Sequence, residues 1–269
     1  MRLLVFLILA IYSVGVLCAV VAFVTKRQAV YRAATGSMIA GFALHTVDLV
    51  GGVVRDGHLP LYGFSEVASF LAWALVLYFF IAQTRYPGSA LAGLLFPTAF
   101  ILKLVAAVAP VIDETPDLLT SSPVFFSVHA GLVLLAYAAF VIMFMAGVMY
   151  IAQEREIKRK NFGAFFHRLP SLDTCDSISS RALAVGFILL TLGIATGMMW
   201  SRSLAGVYWR GDPTEIVAVC TWLVYLFLVH YRLTAGWRGR RAALVAIVGF
   251  GLVVFSLMLV RFSSGFHGL

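Results

Sequence analysis

The stretch that decides the fold is "LLVFLILAIYSVGVLCAVVAFV", residues 3–24. It carries no charge over a length close to the ~20 residues an α-helix needs to cross a bilayer core. It is longer than the h-region of a secretory signal, and no small-x-small cleavage site follows it. It is therefore expected to remain as a helix. Outward from it, similar windows recur at residues 33–54, 66–83, 90–110, 127–152, 182–200, 214–232 and 242–261. Of the 269 residues 62% are hydrophobic and 12% charged. A water-soluble domain cannot keep that much apolar surface out of water. The sequence predicts an all-α polytopic membrane protein with eight transmembrane helices. Short connections predict a single integral membrane helical domain over residues 1–269, spanning the cell inner (plasma) membrane many times.

Positive charge orients the spans. The connections after helices 1, 3, 5 and 7 together hold 14 of the 20 Lys and Arg. Placing them on the cytoplasmic side leaves both termini extracytoplasmic. The net charge of +8 is then a topology signal. It calls for membrane lipid as a partner and for no nucleic acid. Residues 111–126 read as an acidic outer loop. Residues 153–181 read as a basic inner loop that begins as an extension of helix 5. Pro97 predicts a kink in helix 4, tolerated where neighbours satisfy the freed carbonyl. Cys18, Cys175 and Cys220 form no CxxC pair, so a thiol relay is not expected.

Chemistry in such a chain rests on its polar groups. His129 opens helix 5 and His267 follows helix 8, both at the outer face. That face also receives "WSRSLAGVYWRGDPTE", residues 200–215. Two readings are open. The histidines are ordinary polar residues at an interface, or they are a pair of axial ligands. Neutral imidazole binds haem iron strongly. A porphyrin suits aromatic faces such as Trp200, Tyr208 and Trp209, and its propionates suit Arg202 and Arg210. Asp212 before Pro213 also reads as the N-cap of helix 7.

Deeper in the membrane, His45 lies mid-span in helix 2, with Asp48 one turn on and able to fix its tautomer. His230 lies near the inner end of helix 7. His45 and His230 either hydrogen-bond within the bundle or hold a second porphyrin. Their depths differ by roughly 9–15 Å at helical rise, which opposes a shared iron. Lys103 either pairs with Asp48 or snorkels. His167 reads as solvated, and the role of His58 is open.

The stretch from Gly197 to Glu215 resembles the tryptophan-rich WWD motif of CcsA-type cytochrome c assembly proteins. That motif has the form G-x-x-W-A-x-x-A-W-G-x-Y-W-x-W-D-P-K-E. Gly197, Trp200, Gly206, Tyr208, Trp209, Asp212, Pro213 and Glu215 fall in step with it. "GHLPLYGFSEVASFLAWAL" (57–75), "HAGLVLLAYAAF" (129–140), "LDTCDSISSRALAVGFILLTLGIATG" (172–197) and "GFH" (265–267) resemble further family segments, in the same order. The chain departs from the motif at Ala205 and Gly211, which stand where the family has tryptophan, and at Thr214, which replaces lysine.

The resemblance implies that His129 and His267 ligate haem b, held non-covalently, from the outside, and that His230 helps bind haem arriving through the membrane. In the family a second membrane histidine often comes from the partner protein CcsB, also called ResB; His45 is a candidate to replace it. The implied function is a haem-delivering membrane subunit of System II cytochrome c biogenesis, a possible part of a holocytochrome c synthase. It would present the vinyl groups of haem to the CxxCH thiols of apocytochrome c, a reaction that needs proximity and orientation more than acid–base power. The overall size, the "GWRGRRAA" segment (236–243) and the thinned motif also resemble the HemX-like branch, which regulates haem biosynthesis without ligation chemistry. A secondary transporter of another anionic ligand is the alternative from a different class, supported by His45, Asp48 and Lys103 near the midplane.

Overall fold

The computed structural model describes residues 2–87, 90–109, 123–160, 163 and 166–262. Among them are eight α-helices and no strands: α1 (Arg2–Thr25), α2 (Gln28–Asp56), α3 (Phe64–Gln83), α4 (Leu91–Val108), α5 (Pro123–Lys158), α6 (Leu172–Ala205), α7 (Pro213–Thr234) and α8 (Arg240–Phe262). A single 3-10 turn, Phe166–Arg168, precedes α6. All eight helices are long and apolar enough to cross a membrane. Their large outward side chains are apolar, as with Leu17 on α1, Val54 on α2, Val108 on α4 and Val248 on α8. In water such surfaces would drive aggregation; in a bilayer they meet acyl chains. The chain is a multi-pass membrane protein.

Each expected window contains a helix, but two helices run well past theirs. α5 continues to Lys158 and α6 begins at Leu172. Hydropathy marks where the bilayer ends, whereas a helix ends where its backbone is capped. Ser171 caps α6 by accepting the Thr174 N–H at 3.2 Å, and Asp173 sits in the first turn, where a negative charge suits the helix dipole. The basic loop is correspondingly shorter than expected. Helix α4 is assigned continuously through Pro97.

The helices form two compact units. The first comprises residues 1–60, 65–110 and 153–170. Here small residues bring α1 and α2 close. A Cβ at Gly41 would lie 2.5 Å from the ring of Tyr12, and one at Gly15 would lie 2.7 Å from Met38 Sδ. Ser37 Oγ donates to the Ile11 carbonyl at 2.8 Å across the same seam. Phe42 stacks on Trp73 at 5.4 Å, and the Trp73 indole N–H donates to Thr46, joining α2 to α3.

The second unit comprises, among the described residues, 61–64, 123–152 and 171–262. Here α6 presents glycines to α5. A Cβ on Gly186 would meet the Phe140 ring at 2.5 Å, and one on Gly193 would meet Val133 at 2.8 Å. Phe140 in turn stacks on Tyr225 of α7, with centroids 3.6 Å apart. Tyr137 and Ser256 hydrogen-bond at 2.9 Å, tying α5 to α8. Asp176 of α6 accepts from Arg232 at 2.8 Å and from the Gly239 N–H at 3.0 Å, fastening the far ends of α7 and α8.

Candidate functional site

The tryptophan-rich stretch folds as the end of one helix, a short loop and the start of the next. Helix α6 stops at Gly206, whose φ of +73° is the left-handed cap position that glycine takes without strain, and its N–H reaches the Arg202 carbonyl. Helix α7 starts at Pro213 behind Asp212. The Asp212 carboxylate accepts from the Thr214 N–H at 2.8 Å and from the Thr214 hydroxyl at 2.6 Å, so the expected N-cap is present. Glu215 folds back to accept the backbone N–H groups of Arg210 and Gly211 at 2.9 and 3.0 Å. The acidic pair of the motif thus shapes the loop by holding its backbone.

That scaffold sets the rings. Trp200 is 1% exposed and lies against Phe126 and His129, while Tyr208 and Trp209 are about half exposed, at 48% and 47%. The Arg202 guanidinium sits 4.6 Å over the Tyr208 ring, a cation–π contact that lines cation and ring up along one edge. Gly211 has a φ of +77°. A bulky residue there would be strained, so in this loop the absent second tryptophan is matched by a backbone that excludes it.

His129 completes the wall. Its Nδ1 lies 2.8 Å from the Gly193 carbonyl oxygen of α6. A carbonyl only accepts, so Nδ1 carries the proton and the lone pair of the neutral ring falls on Nε2. A backbone carbonyl on the far nitrogen is the usual means of orienting a metal-binding imidazole. Gly197 makes the room: a Cβ there would lie 2.7 Å from His129 Cε1 and Nδ1. His129, Trp200, Tyr208 and Trp209 face one mainly apolar cleft of about 750 Å³, counting its open mouth, with Tyr137 and Ser256 among its lining. Ser201 Oγ, buried in the same lining, has no hydrogen-bond partner among the described residues. A nitrogen lone pair, aromatic faces and the Arg202 guanidinium beside Tyr208 fit an iron porphyrin. His267 lies outside the described residues.

The membrane histidines fall differently. His45 of α2 is fully buried in the first unit. Its Nδ1 meets the Tyr12 hydroxyl at 3.2 Å and its Nε2 meets Ser69 Oγ at 2.9 Å. Asp48 does not orient it as expected. The Asp48 carboxylate turns to Lys103, 3.1 Å away, and Lys103 also donates to Ser69 at 2.9 Å. An ammonium that is 3% exposed needs its counter-charge more than a neutral imidazole does. The snorkelling alternative for Lys103 therefore falls away. His230 is exposed near the end of α7 in the second unit, its ring edge-on to Tyr231. His58 lies between α2 and α3 beside the Leu59 carbonyl. The Tyr12, Ser69 and Trp73 contacts were not foreseen. A hydroxyl or indole pointing into a bundle has no hydropathy signature.

The sequence profile of the family described as "Cytochrome C assembly protein" matches residues 61–267. The chain belongs to that family. The match takes in His129, the tryptophan-rich stretch, His230 and His267, and begins after His45 and Asp48. Similar proteins include the cytochrome c biogenesis protein CcsA of Synechococcus sp. (strain CC9605), 30% identical over 243 residues, covering 80% of this chain and 78% of that one. CcsA of Prochlorococcus marinus (strain MIT 9515) is 29% identical over 246 residues, covering 80% and 76%. CcsA of Chlamydomonas reinhardtii is 28% identical over 226 residues, covering 79% and 61%. Among solved structures, the cytochrome c haem lyase CcmF superposes with a TM-score of 0.65 at 16% identity, over 96% of this chain. The family member spans about half the length of that structure, at 49%, and shares its fold.

Proposed function

We propose that this protein works in cytochrome c biogenesis as a haem-binding, haem-delivering membrane subunit of the System II type. Its family, and relatives named as CcsA, support that role. The observation that carries the haem reading is the His129 imidazole, which lines an aromatic-walled cleft and is held at Nδ1 by the Gly193 carbonyl so that Nε2 bears the lone pair. In this reading His129 and His267 ligate haem b, Trp200 and Trp209 with Tyr208 support the ring, and Arg202 and Arg210 face its propionates. Gly206 and Asp212 hold the loop that carries those rings. Haem, when bound, supplies the vinyl groups that accept cysteine thiols. The chain's part is to orient that acceptor and to keep water from it. Both termini lie outside the cytoplasm in this reading. A CcsB/ResB-like membrane protein and the CxxCH segment of apocytochrome c are the partners, within a holocytochrome c synthase. His230 and His45 are candidate ligands of a second haem, and for His45 that role requires exchanging Tyr12 and Ser69 for iron.

The test is the absorption spectrum of the protein purified from cells supplied with haem precursor. A low-spin bis-histidine signature is expected. His129→Ala and His267→Ala are each expected to lower retained haem about 100-fold, at the upper end of the effect of disturbing a metal ligand's surroundings. Unchanged haem in both variants would sink the reading. The HemX-like alternative, haem binding without thioether formation, draws on Ala205 and on the Gly211 backbone, which leave the wall two rings short of the motif. Normal cytochrome c in a deletion strain would favour it.

A further inference from the structure

The first unit holds a cleft of about 730 Å³, counting its open mouth, at the turn from α1 to α2. One wall is apolar, formed by Ala19, Ala22 and Phe23 from α1 with Ala92 and Gly93 from α4, while Tyr31 and His167 also line the cleft. Its rim is cationic, formed by Lys26, Arg27 and Arg168. Among the described residues none of these three cations has an ion-pair partner. Arg168 donates from Nη2 to the Val24 carbonyl at 2.9 Å and lies 5.8 Å over the Phe23 ring. Its Nε is buried and makes no hydrogen bond among the described residues, an arrangement that costs free energy unless something else accepts from it.

The backbone adds to the same field. Two helices begin at this cleft, α2 after Arg27 and α4 after Ala90, and neither has a side chain capping its first turn. Gln28 and Ala90 both line the cleft, so the positive ends of two helix dipoles face it. Lys26 holds a φ of +57°, a conformation glycine would take without strain, and the position nonetheless carries an ammonium.

We propose that this cleft binds the phosphate headgroup of an anionic phospholipid, with an acyl chain along the Ala19–Phe23 face of α1. The cations and helix starts call for an oxyanion. The apolar wall calls for a tail attached to it, which free phosphate lacks. The cleft lies at the ends of two membrane-spanning helices, the level at which headgroups sit. Its basic residues are on the side that charge asymmetry assigns to the cytoplasmic leaflet, where anionic lipid is found. The site is independent of the haem reading and uses none of its residues.

The full chain is purified in mild detergent, stripped of lipid, and offered phosphatidylglycerol and phosphatidylcholine of equal chain length. Bound lipid is then counted by native mass spectrometry. Phosphatidylglycerol is expected to be retained at least about fivefold more than phosphatidylcholine, and each of K26Q, R27Q and R168Q to cut that preference about fivefold. R238Q/R241Q, at a basic end of the second unit, is expected to leave it unchanged. Should K26Q or R27Q fail to fold, R168Q alone carries the test. Equal retention of the two lipids, or an equal loss in R238Q/R241Q, overturns the proposal. Displacement of phosphatidylglycerol by inorganic phosphate alone would assign the cleft to a soluble oxyanion and overturn the lipid assignment.

Discussion

His129 and His45 are both histidines on membrane-spanning helices, and their surroundings give them opposite capacities. His129 lines an aromatic-walled cleft, and its Nδ1 donates to the Gly193 carbonyl, which puts the lone pair of the neutral ring on Nε2. His45 spends both nitrogens on hydroxyls inside a closed chain of contacts from Tyr12 through Ser69 to Lys103 and Asp48. The first arrangement is poised to bind something. The second holds helices together and balances a buried charge. Depth in the membrane does not mark a ligand: the surroundings do, a cleft wall in one case and a closed polar network in the other.

The contrast can be broken or sharpened by substitution. Lys103→Met is expected to have the largest effect, because it strands Asp48 in the membrane. Removing one partner of a buried pair costs about 3–5 kcal/mol. The thermal midpoint in detergent should fall sharply, and Lys103→Met combined with Asp48→Leu should recover most of the loss. A small effect of the single change would show that the pair is solvated.

Next comes Gly197→Ala. Its methyl would lie 2.7 Å from the His129 ring, so the ring must move. Overpacking of this kind costs about 1–3 kcal/mol. Retained haem should fall about tenfold while the chain still folds. Unaltered haem absorbance would mean that the ring's placement does not matter to the site.

His45→Leu leaves Tyr12 and Ser69 each short of a partner, at about 1–3 kcal/mol. It is expected to lower stability and leave haem absorbance alone. A loss of haem matching that of His129→Ala would erase the difference between the two histidines. The smallest effect is assigned to Asp212→Ala, about 1 kcal/mol for a lost N-cap, with Asp212→Asn retaining most of the stability. If Asp212→Asn loses as much haem as Asp212→Ala, the carboxylate acts on the ligand and not only on the loop.

Much of the site was legible because it is local. Gly206, Asp212, Pro213 and Glu215 are turn and cap residues whose partners lie within five positions, so the order of residues alone specifies them. The Asp48–Lys103 pair was legible only as one of two alternatives, because its partners are 55 residues apart. The Gly193 carbonyl that fixes His129 left no trace in the sequence, since every residue has a carbonyl and only packing says which one faces an imidazole.

The amino-acid order by itself determined eight spans, their helical character and the family, because apolar runs of bilayer length with few or no charges admit one solution for the backbone: every N–H and C=O must pair within its own segment. Tertiary structure decided which glycine faces admit a ring, which nitrogen of each histidine keeps its lone pair, and where cations remain without a counter-charge. Those are properties of close approach between distant segments, and close approach is set by side-chain volume in three dimensions rather than by spacing along the chain.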